Sequence, residues 1–370
     1  MAVLGIMSGT SIDAVDYASC LVTHRGIELQ ELWTARYPKR LQTRLHEAAR
    51  GAITGHELCQ LHHDTGRFFA RHALRGKQKP RLAGLHGQTV FHQPKLPNPA
   101  TFQLGEPAYL VEALRVPVVS NFRAADLAAG GQGAPLATAF HQMAFGLKGR
   151  HVCVQNLGGI ANVTSIDWKR GSKPDLMSFD TGPANMLMDM AARHYTGGKW
   201  TMDRNGGKAS RGECAEDLLQ DWLHDPFFRK APPKSTGREY FGELFFKKAI
   251  KEAARKRLSA EDLLATCTEF TARSIALNYQ LHLAGEPDQV ILAGGGARNS
   301  FLVGRIRVAL NATCPRAELS LSDALGWPGS ALEPAAFAWL AFLRIHKQPG
   351  NLPETTGARR AAVLGQLSEY

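Results

Sequence analysis

Four short stretches of this chain gather the residue types that handle phosphate and move protons. In Gly5-Ile6-Met7-Ser8-Gly9-Thr10-Ser11-Ile12-Asp13-Ala14-Val15-Asp16, small residues, hydroxyls and two carboxylates lie between apolar runs. Glycine lets backbone N–H groups approach phosphate oxygens, Ser and Thr add donors, and an acidic side chain can hold magnesium directly or through water. The same residues also suit an ordinary hairpin with Ser/Thr turns, and both readings fit this stretch. A second turn, Asn156-Leu157-Gly158-Gly159-Ile160-Ala161-Asn162, gains its meaning from being paired with the first. A third, Val290-Ile291-Leu292-Ala293-Gly294-Gly295-Gly296-Ala297-Arg298-Asn299, follows an apolar strand and precedes a helix, so its backbone can lie against adenosine or approach phosphate. It has neither the GxGxxG nor the GxxxxGKS/T order, which weakens the Rossmann and P-loop readings.

In the fourth stretch, Phe179-Asp180-Thr181-Gly182-Pro183-Ala184-Asn185, a carboxylate sits after a short strand and before a helix. Asp180 is there either as a base, taking a proton from a sugar hydroxyl or from water during phosphoryl transfer, or as a cap on the helix. His86-Gly87-Gln88-Thr89, Arg123-Ala124-Ala125-Asp126 and Gly130-Gly131-Gln132-Gly133 supply polar groups after candidate strands, as a sugar-recognition rim or as ordinary loops. His62 and His63 lie in a helical pattern with no matching set of ligands, and no structural metal is expected.

These residues need a scaffold, and the apolar patterning supplies an α/β one. Ala2 to Val22 reads as two strands around the first turn, and His151 to Ser165 repeats that plan. Arg81 to Leu85, Val116 to Val119 and Gln289 to Ala293 read as strands. Helices are expected over His56 to Leu74, Ala184 to His194, Tyr240 to Leu258, Leu263 to Leu281 and Leu332 to Ile345, with Ser259 and Asp262 capping the fourth. If each glycine-turn hairpin opens a lobe, the division is residues 1–150 and 151–370, with the turns facing a shared cleft. Lys199 to Gly212 and Ala231 to Arg238, rich in Gly, Pro, Ser and basic residues, read as mobile cleft loops or as surface connections.

A length of 370 residues favours two packed units over one, and 44% hydrophobic with 21% charged residues excludes a disordered or fibrous chain. The longest nearly apolar run, Pro334 to Leu343, is well short of the ~20 residues that span a bilayer. The first thirteen residues do not read as a secretion signal, and the six scattered cysteines contain no CxxC pair, so a cytoplasmic protein with reduced thiols is expected. The net charge of +11 favours anionic partners in general. Its densest basic run, Lys247 to Arg257, has the helical spacing of a solvated face and is read that way rather than as a nucleic-acid contact.

Taken in order, these motifs resemble those of the anhydro-N-acetylmuramic acid kinases, members of the actin, hexokinase and Hsp70 ATPase superfamily. The resemblance runs from the first turn through His86 to Thr89, Ala129 to Pro135, Asn156 to Thr164 and Phe179 to Pro183. It continues in Pro233-Lys234-Ser235-Thr236-Gly237-Arg238, Gly294 to Ala297, Glu333 with Ala336 to Ala341, and Gly350 to Ala358. It implies a two-lobed actin-like ATPase (ribonuclease H-like) fold with a central interdomain cleft. It also implies an ATP- and Mg2+-dependent reaction that opens 1,6-anhydro-N-acetylmuramic acid and phosphorylates O6 during peptidoglycan recycling. By the same resemblance Asp180 is the base and Glu333 supports the sugar or the attacking water. Ser8, Gly9, Thr10, Ser11, Ile12, Asp13, Ala14 and Val15 serve the ATP phosphates. Gly158 and Gly159 pair with that turn, Gly294, Gly295 and Gly296 take the nucleotide end, and Arg123, Gln132 and Gly133 form the sugar rim. The expected partner is the small sugar, not nucleic acid or membrane, with homodimer formation compatible. A nucleotide-binding regulator of the same fold without turnover is the alternative. The chain departs from the family pattern at Ala14, Asn121 and Ala184, where Gly, Asp and Gly are usual, and at Pro334, where Ala is common.

Overall fold

The computed structural model describes all residues except Lys95, Leu96 and Arg170. Its strands are β1 (Ala2–Ser8), β2 (Ala14–Thr23), β3 (Gly26–Arg36), β4 (Leu82–Gln93), β5 (Ala100–Leu104), β6 (Val118–Ser120), β7 (His151–Leu157), β8 (Ile160–Asp167), β9 (Asp175–Pro183), β10 (Gln289–Ala293), β11 (Glu318–Leu321) and β12 (Gln366–Ser368). They form two sheets in two units, Met1–Ala144 with Ser330–Tyr370, and Phe145–Gly329.

In the first unit the sheet order is β12-β6-β4-β1-β2-β3, with β5 paired to β4. β1, β2 and β3 are antiparallel neighbours, whereas β4 and β6 run parallel to β1 and to β4 respectively. β1 is buried over six of its seven residues, which is why it reads as an unbroken apolar run rather than an alternating one. The helix Leu332–Ile345, apolar on almost every face, packs on β1, β2 and β4. Gly5 and Gly84 lie opposite each other in β1 and β4. A Cβ at Gly5 would sit 1.8 Å from the Pro334 carbonyl oxygen, and one at Gly84 would sit 2.2 Å from that of Phe337. The paired glycines therefore form a notch that admits the helix backbone and fixes where Glu333, in its first turn, is carried.

The second unit repeats the plan. Its order is β11-β10-β7-β8-β9, with β7 to β9 antiparallel and β10 and β11 parallel to β7 and β10. The long helix Ala260–His282 starts on a capping box between Ser259 and Asp262, as the spacing predicts. Its buried hydroxyls turn back onto the preceding helical turn, as in Thr268 Oγ1 to the Leu264 carbonyl at 2.8 Å, so a polar-looking stretch can be a core helix. Phe270 on that helix stacks with Phe245 and meets Trp222, Phe228 and Phe241.

The two hairpin openings, the α/β class and the main helices follow the sequence expectation, but several details differ. Residues 330–370 do not continue the second lobe, as the 151–370 division supposed. The apolar helix Leu332–Ile345 is needed to cover the first sheet, and β12 completes its edge against β6. His86 to Thr89 lie inside β4 and not in a loop after it, because β5 extends the ladder from Gln88 to Gln93. The helix expected over Tyr240 to Leu258 divides at Gly242, where a Cβ would meet the Arg238 carbonyl at 2.0 Å, giving Arg238–Phe241 and Glu243–Arg255. The 199–212 connection is tied down by the Asp203 carboxylate, which accepts from the N–H groups of Lys208 and Ala209. The basic face of Glu243–Arg255 carries the Lys247–Glu243 and Lys248–Glu252 pairs, in keeping with a solvated surface.

Candidate active site

The β1–β2 turn in the first unit sorts its residues into those that hold it and those that face out. Ser8 is buried, and its hydroxyl donates to Gln88 Oε1 at 2.6 Å while accepting from the Tyr37 hydroxyl at 3.0 Å. Ile12 and Val15 point into the core, and Ala14 opens β2 opposite Arg36. Ile12 adopts φ 59°, a left-handed conformation that a β-branched residue adopts only when its surroundings force it. The surroundings here are Ile12 N–H to the Gly9 carbonyl at 3.2 Å, and Gln42 Nε2 to the Ile12 carbonyl at 2.9 Å. What remains at the surface is Gly9 with the exposed Thr10, Ser11 and Asp13. Two hydroxyls, a carboxylate and a glycine on a rigid turn suit a phosphate chain with its cation.

The sugar-rim candidates form one network in the same unit. Arg123 donates through one guanidinium nitrogen to the Gly133 carbonyl at 2.6 Å and through the others to His86 Nε2 at 3.2 and 2.8 Å. His86 Nδ1 lies 2.8 Å from the Gly87 carbonyl, so the ring donates there and accepts from Arg123. Burial, with the adjacent Arg123 charge, holds His86 well below its ordinary range and keeps it neutral. Burial lowers Arg123 to about 10, while Glu333 and Asp126 favour its charge; it stays a cation. Glu333 is accessible to solvent even though the surrounding protein pushes its carboxyl upward, with Arg123 opposing that shift.

Behind the rim, Asp126 is fully buried. Its carboxylate accepts from Gly133 N–H at 2.7 Å, Asn351 Nδ2 at 2.6 Å and Thr356 Oγ1 at 2.7 Å. Gln132 N–H reaches the Thr356 carbonyl at 2.8 Å. Asp126 therefore shapes the Gln132–Gly133 loop from within, joining motifs more than two hundred residues apart. Of the family departures, Asn121 takes the left-handed conformation at φ 53° and donates to Gln366 Oε1, which places it beside β12 and not among these groups.

In the second unit, Asp180 lies within β9, opposite Asn162 of β8 and three residues from the strand end, about 10 Å along it. It does not cap the following helix: the N-cap of Asn185–Tyr195 is Ala184, without a side-chain bond. That helix end is received by the second turn, whose Gly158 carbonyl accepts from Asn185 N–H at 3.0 Å and whose Gly159 carbonyl accepts from Ala184 N–H at 2.9 Å. Asp180 Oδ2 accepts from Thr236 N–H at 2.8 Å, and Asp180 N–H donates to the Lys234 carbonyl at 3.1 Å. The 231–238 segment is thus packed on Asp180. Its motif was visible in the sequence, but the bonds of its backbone to Asp180 were not.

Gly294 and Gly296 lie against the second turn. A Cβ at Gly294 would meet Asn156 Oδ1 at 2.3 Å, and one at Gly296 would meet Leu157 Cβ at 2.7 Å. Gly295 is exposed. Beside this loop a concavity of about 440 Å³ is lined by Ala297, Arg298, Ser300, Val303, Leu321 and Asp323. The second unit therefore brings together Asp180, Gly158, Gly159 and Gly294 to Gly296, and the first unit brings together the Ser8 to Val15 turn, Arg123, Gln132, Gly133 and Glu333. Among the described residues no group of three His, Cys, Asp or Glu side chains could cage a metal ion, and no helix is long and apolar enough to cross a membrane.

The family model described as anhydro-N-acetylmuramic acid kinase matches residues 1–369. A protein of that name from a Picosynechococcus species is 40% identical over 384 residues, covering 99% of each chain. Another, from Gloeobacter violaceus, is 42% identical over 381 residues, covering 98% of this chain and 97% of its own. A solved ROK family glucokinase from Streptomyces griseus, in complex with glucose and AMPPNP, aligns with 92% of this chain and 99% of its own at 14% identity and a TM-score of 0.43, a likeness too distant to bear on the site. With the family model matched almost from end to end and relatives aligned over nearly their whole length, the chain belongs to the anhydro-N-acetylmuramic acid kinase family.

Proposed function

We propose that this protein uses ATP to open and phosphorylate 1,6-anhydro-N-acetylmuramic acid, giving N-acetylmuramic acid 6-phosphate and ADP. The observation that carries the reading is the Asp180 carboxylate, one oxygen of which is fixed by a backbone N–H, on the strand beside the Gly158–Gly159 turn. Asp180 takes a proton from a water molecule whose oxygen bonds to C1. The C1–O6 bond breaks, its electron pair stays on O6, and O6 attacks the γ-phosphorus as ADP departs. Base and leaving group then cooperate, since charge that develops on O6 is taken up by the phosphoryl group.

Thr10, Ser11 and Asp13 face the ATP phosphates, with Ser8, Ile12, Ala14 and Val15 shaping the turn that presents them. Gly295 and the neighbouring concavity take the nucleoside. Arg123, Gln132 and Gly133 hold the sugar, and Glu333 orients sugar or water. ATP enters as its magnesium complex. Magnesium is suited to such a site because it binds through phosphates, water and one or two carboxylates and needs no protein cage. An ATP-consuming step of peptidoglycan recycling places the protein in the cytoplasm. A regulator without turnover has no feature here that favours it.

The test is incubation with ATP, magnesium and the anhydro-sugar in water labelled with heavy oxygen. Label at C1 and phosphate on O6 are expected. ADP formed without a phosphorylated sugar, or label in the phosphate, would overturn the reading.

A further inference from the structure

We infer that Lys234 is a positioning residue for Asp180, anchoring the loop whose backbone holds the Asp180 carboxylate and setting a positive charge against the strand that carries it. This rests on the reading of Asp180 as the base.

Two bonds tie Asp180 to the loop, its N–H to the Lys234 carbonyl and Thr236 N–H to its Oδ2, at 3.1 and 2.8 Å. They straddle a single residue, so the carboxylate follows any movement of residues 234–236. The Lys234 side chain anchors that segment inward and is only 7% exposed. Its Nζ lies 3.2 and 3.0 Å from the carbonyl oxygens of Phe227 and Phe228, and 3.1 Å from His282 Nε2. The same nitrogen stands 4.8 Å from the centre of the Phe227 ring and 5.7 Å from that of Phe179, the residue before Asp180. One side chain thus grips the loop and meets the strand that carries the base.

A lysine is a costly way to do this by packing alone. An ammonium group held by two backbone carbonyls beside an imidazole gives up much of its hydration, and an apolar side chain would fill the space without that penalty. Charge supplies the reason for lysine. Burial brings Lys234 down to about 8, with Asp180 favouring the cation and Lys230 opposing it; burial also lowers His282, the Phe228 carbonyl opposing that shift and Lys234 adding to it. A cation here in turn stabilises ionised Asp180, the form that can accept a proton.

The experiment compares wild type, Lys234→Met, Lys234→Arg and Asp180→Asn. The readings are kcat, KM for ATP, the pH profile and thermal unfolding. Lys234→Met should lower kcat at least tenfold with KM for ATP within about twofold, and should move the acid limb of the profile upward by about 0.5–1 pH unit. Lys234→Arg should restore most of the rate and return the limb. Wild-type kcat in Lys234→Met, or a lowered kcat with an unmoved limb, would overturn the inference. An inactive Asp180→Asn beside a normal Lys234→Met sinks this inference alone, whereas an active Asp180→Asn removes the base reading and this inference with it. If Lys234→Met does not fold, Lys234→Gln gives the same comparison. Failure of both neutral variants to fold, with Lys234→Arg folded, assigns the side chain to stability and overturns its positioning role.

Discussion

The β1–β2 turn and the β7–β8 turn occupy the same place in two sheets of one plan, yet they offer opposite surfaces. The first exposes Thr10, Ser11 and Asp13 and is braced from below by Ser8, Gln88, Tyr37 and Gln42. The second has glycines at its tip, and its carbonyls are occupied by the amides that start Asn185–Tyr195. The carboxylates differ in the same way. Glu333 is accessible at the start of a helix, while Asp180 sits inside a strand with one oxygen pinned. A shared topology fixes where a turn falls, and the neighbouring elements decide whether side chains or backbone meet a ligand there.

The sharpest way to break this contrast is to exchange the roles of the carboxylates. Asp180→Asn should lower kcat by about 10²–10⁴-fold while ATP still binds, measured by initial rates and by calorimetric titration. A milder loss there than in Glu333→Gln would make the first unit the source of the base.

Gly5→Val attacks the notch of the first sheet. With a Cβ 1.8 Å from the Pro334 oxygen, it should destabilise by about 3 kcal/mol or more, or prevent folding. Gly159→Ala, whose nearest new neighbour is Met186 Cβ at 3.8 Å, should stay within about 0.5 kcal/mol, and urea midpoints separate the two.

The turns themselves are compared through ATP. Replacing Thr10 by Val and Ser11 by Ala together should raise KM for ATP about tenfold with the urea midpoint unchanged. Gly159→Ala should leave KM within about twofold. Equal effects from both turns would end the distinction drawn between them.

The smallest expected effect concerns acid stability in the first unit. Burial lowers His141 from 6.5 to about 4, so the unfolded chain takes up its proton first as pH falls. The stability His141 contributes is present above pH 6.5 and is lost on the way down to about 4. His141→Gln should flatten that loss by about 1 kcal/mol between pH 6.5 and about 5.5, read from urea midpoints across that range.

Much of this was legible from local pattern. The paired hairpins, the Ser259–Asp262 cap and the bounds of Leu332–Ile345 and Gln289–Ala293 rest on periodicity and short-range chemistry, which a sequence carries openly. The return of residues 330–370 to the first sheet was hidden because an apolar helix does not say which sheet it will cover. Asp180 was read as lying after its strand, whereas it and the Thr-Gly-Pro that follows it lie in β9. The brace of Asp126, Asn351 and Thr356 joins motifs distant in sequence, and the hold of Thr236 on Asp180 runs through a backbone N–H, for which side-chain identity leaves no mark.

The notch of Gly5 and Gly84 has a consequence for how the molecule comes into being. During synthesis, β1 and β4 are made before residues 145–329, and the helix that seats in their groove only after them. Residues 145–329, continuous in the chain, can collapse on their own core while the older sheet still waits for its lid. The first unit is therefore completed only after the second has been made, and a nascent chain stalled before Leu332 would leave apolar strands uncovered, a natural target for chaperones.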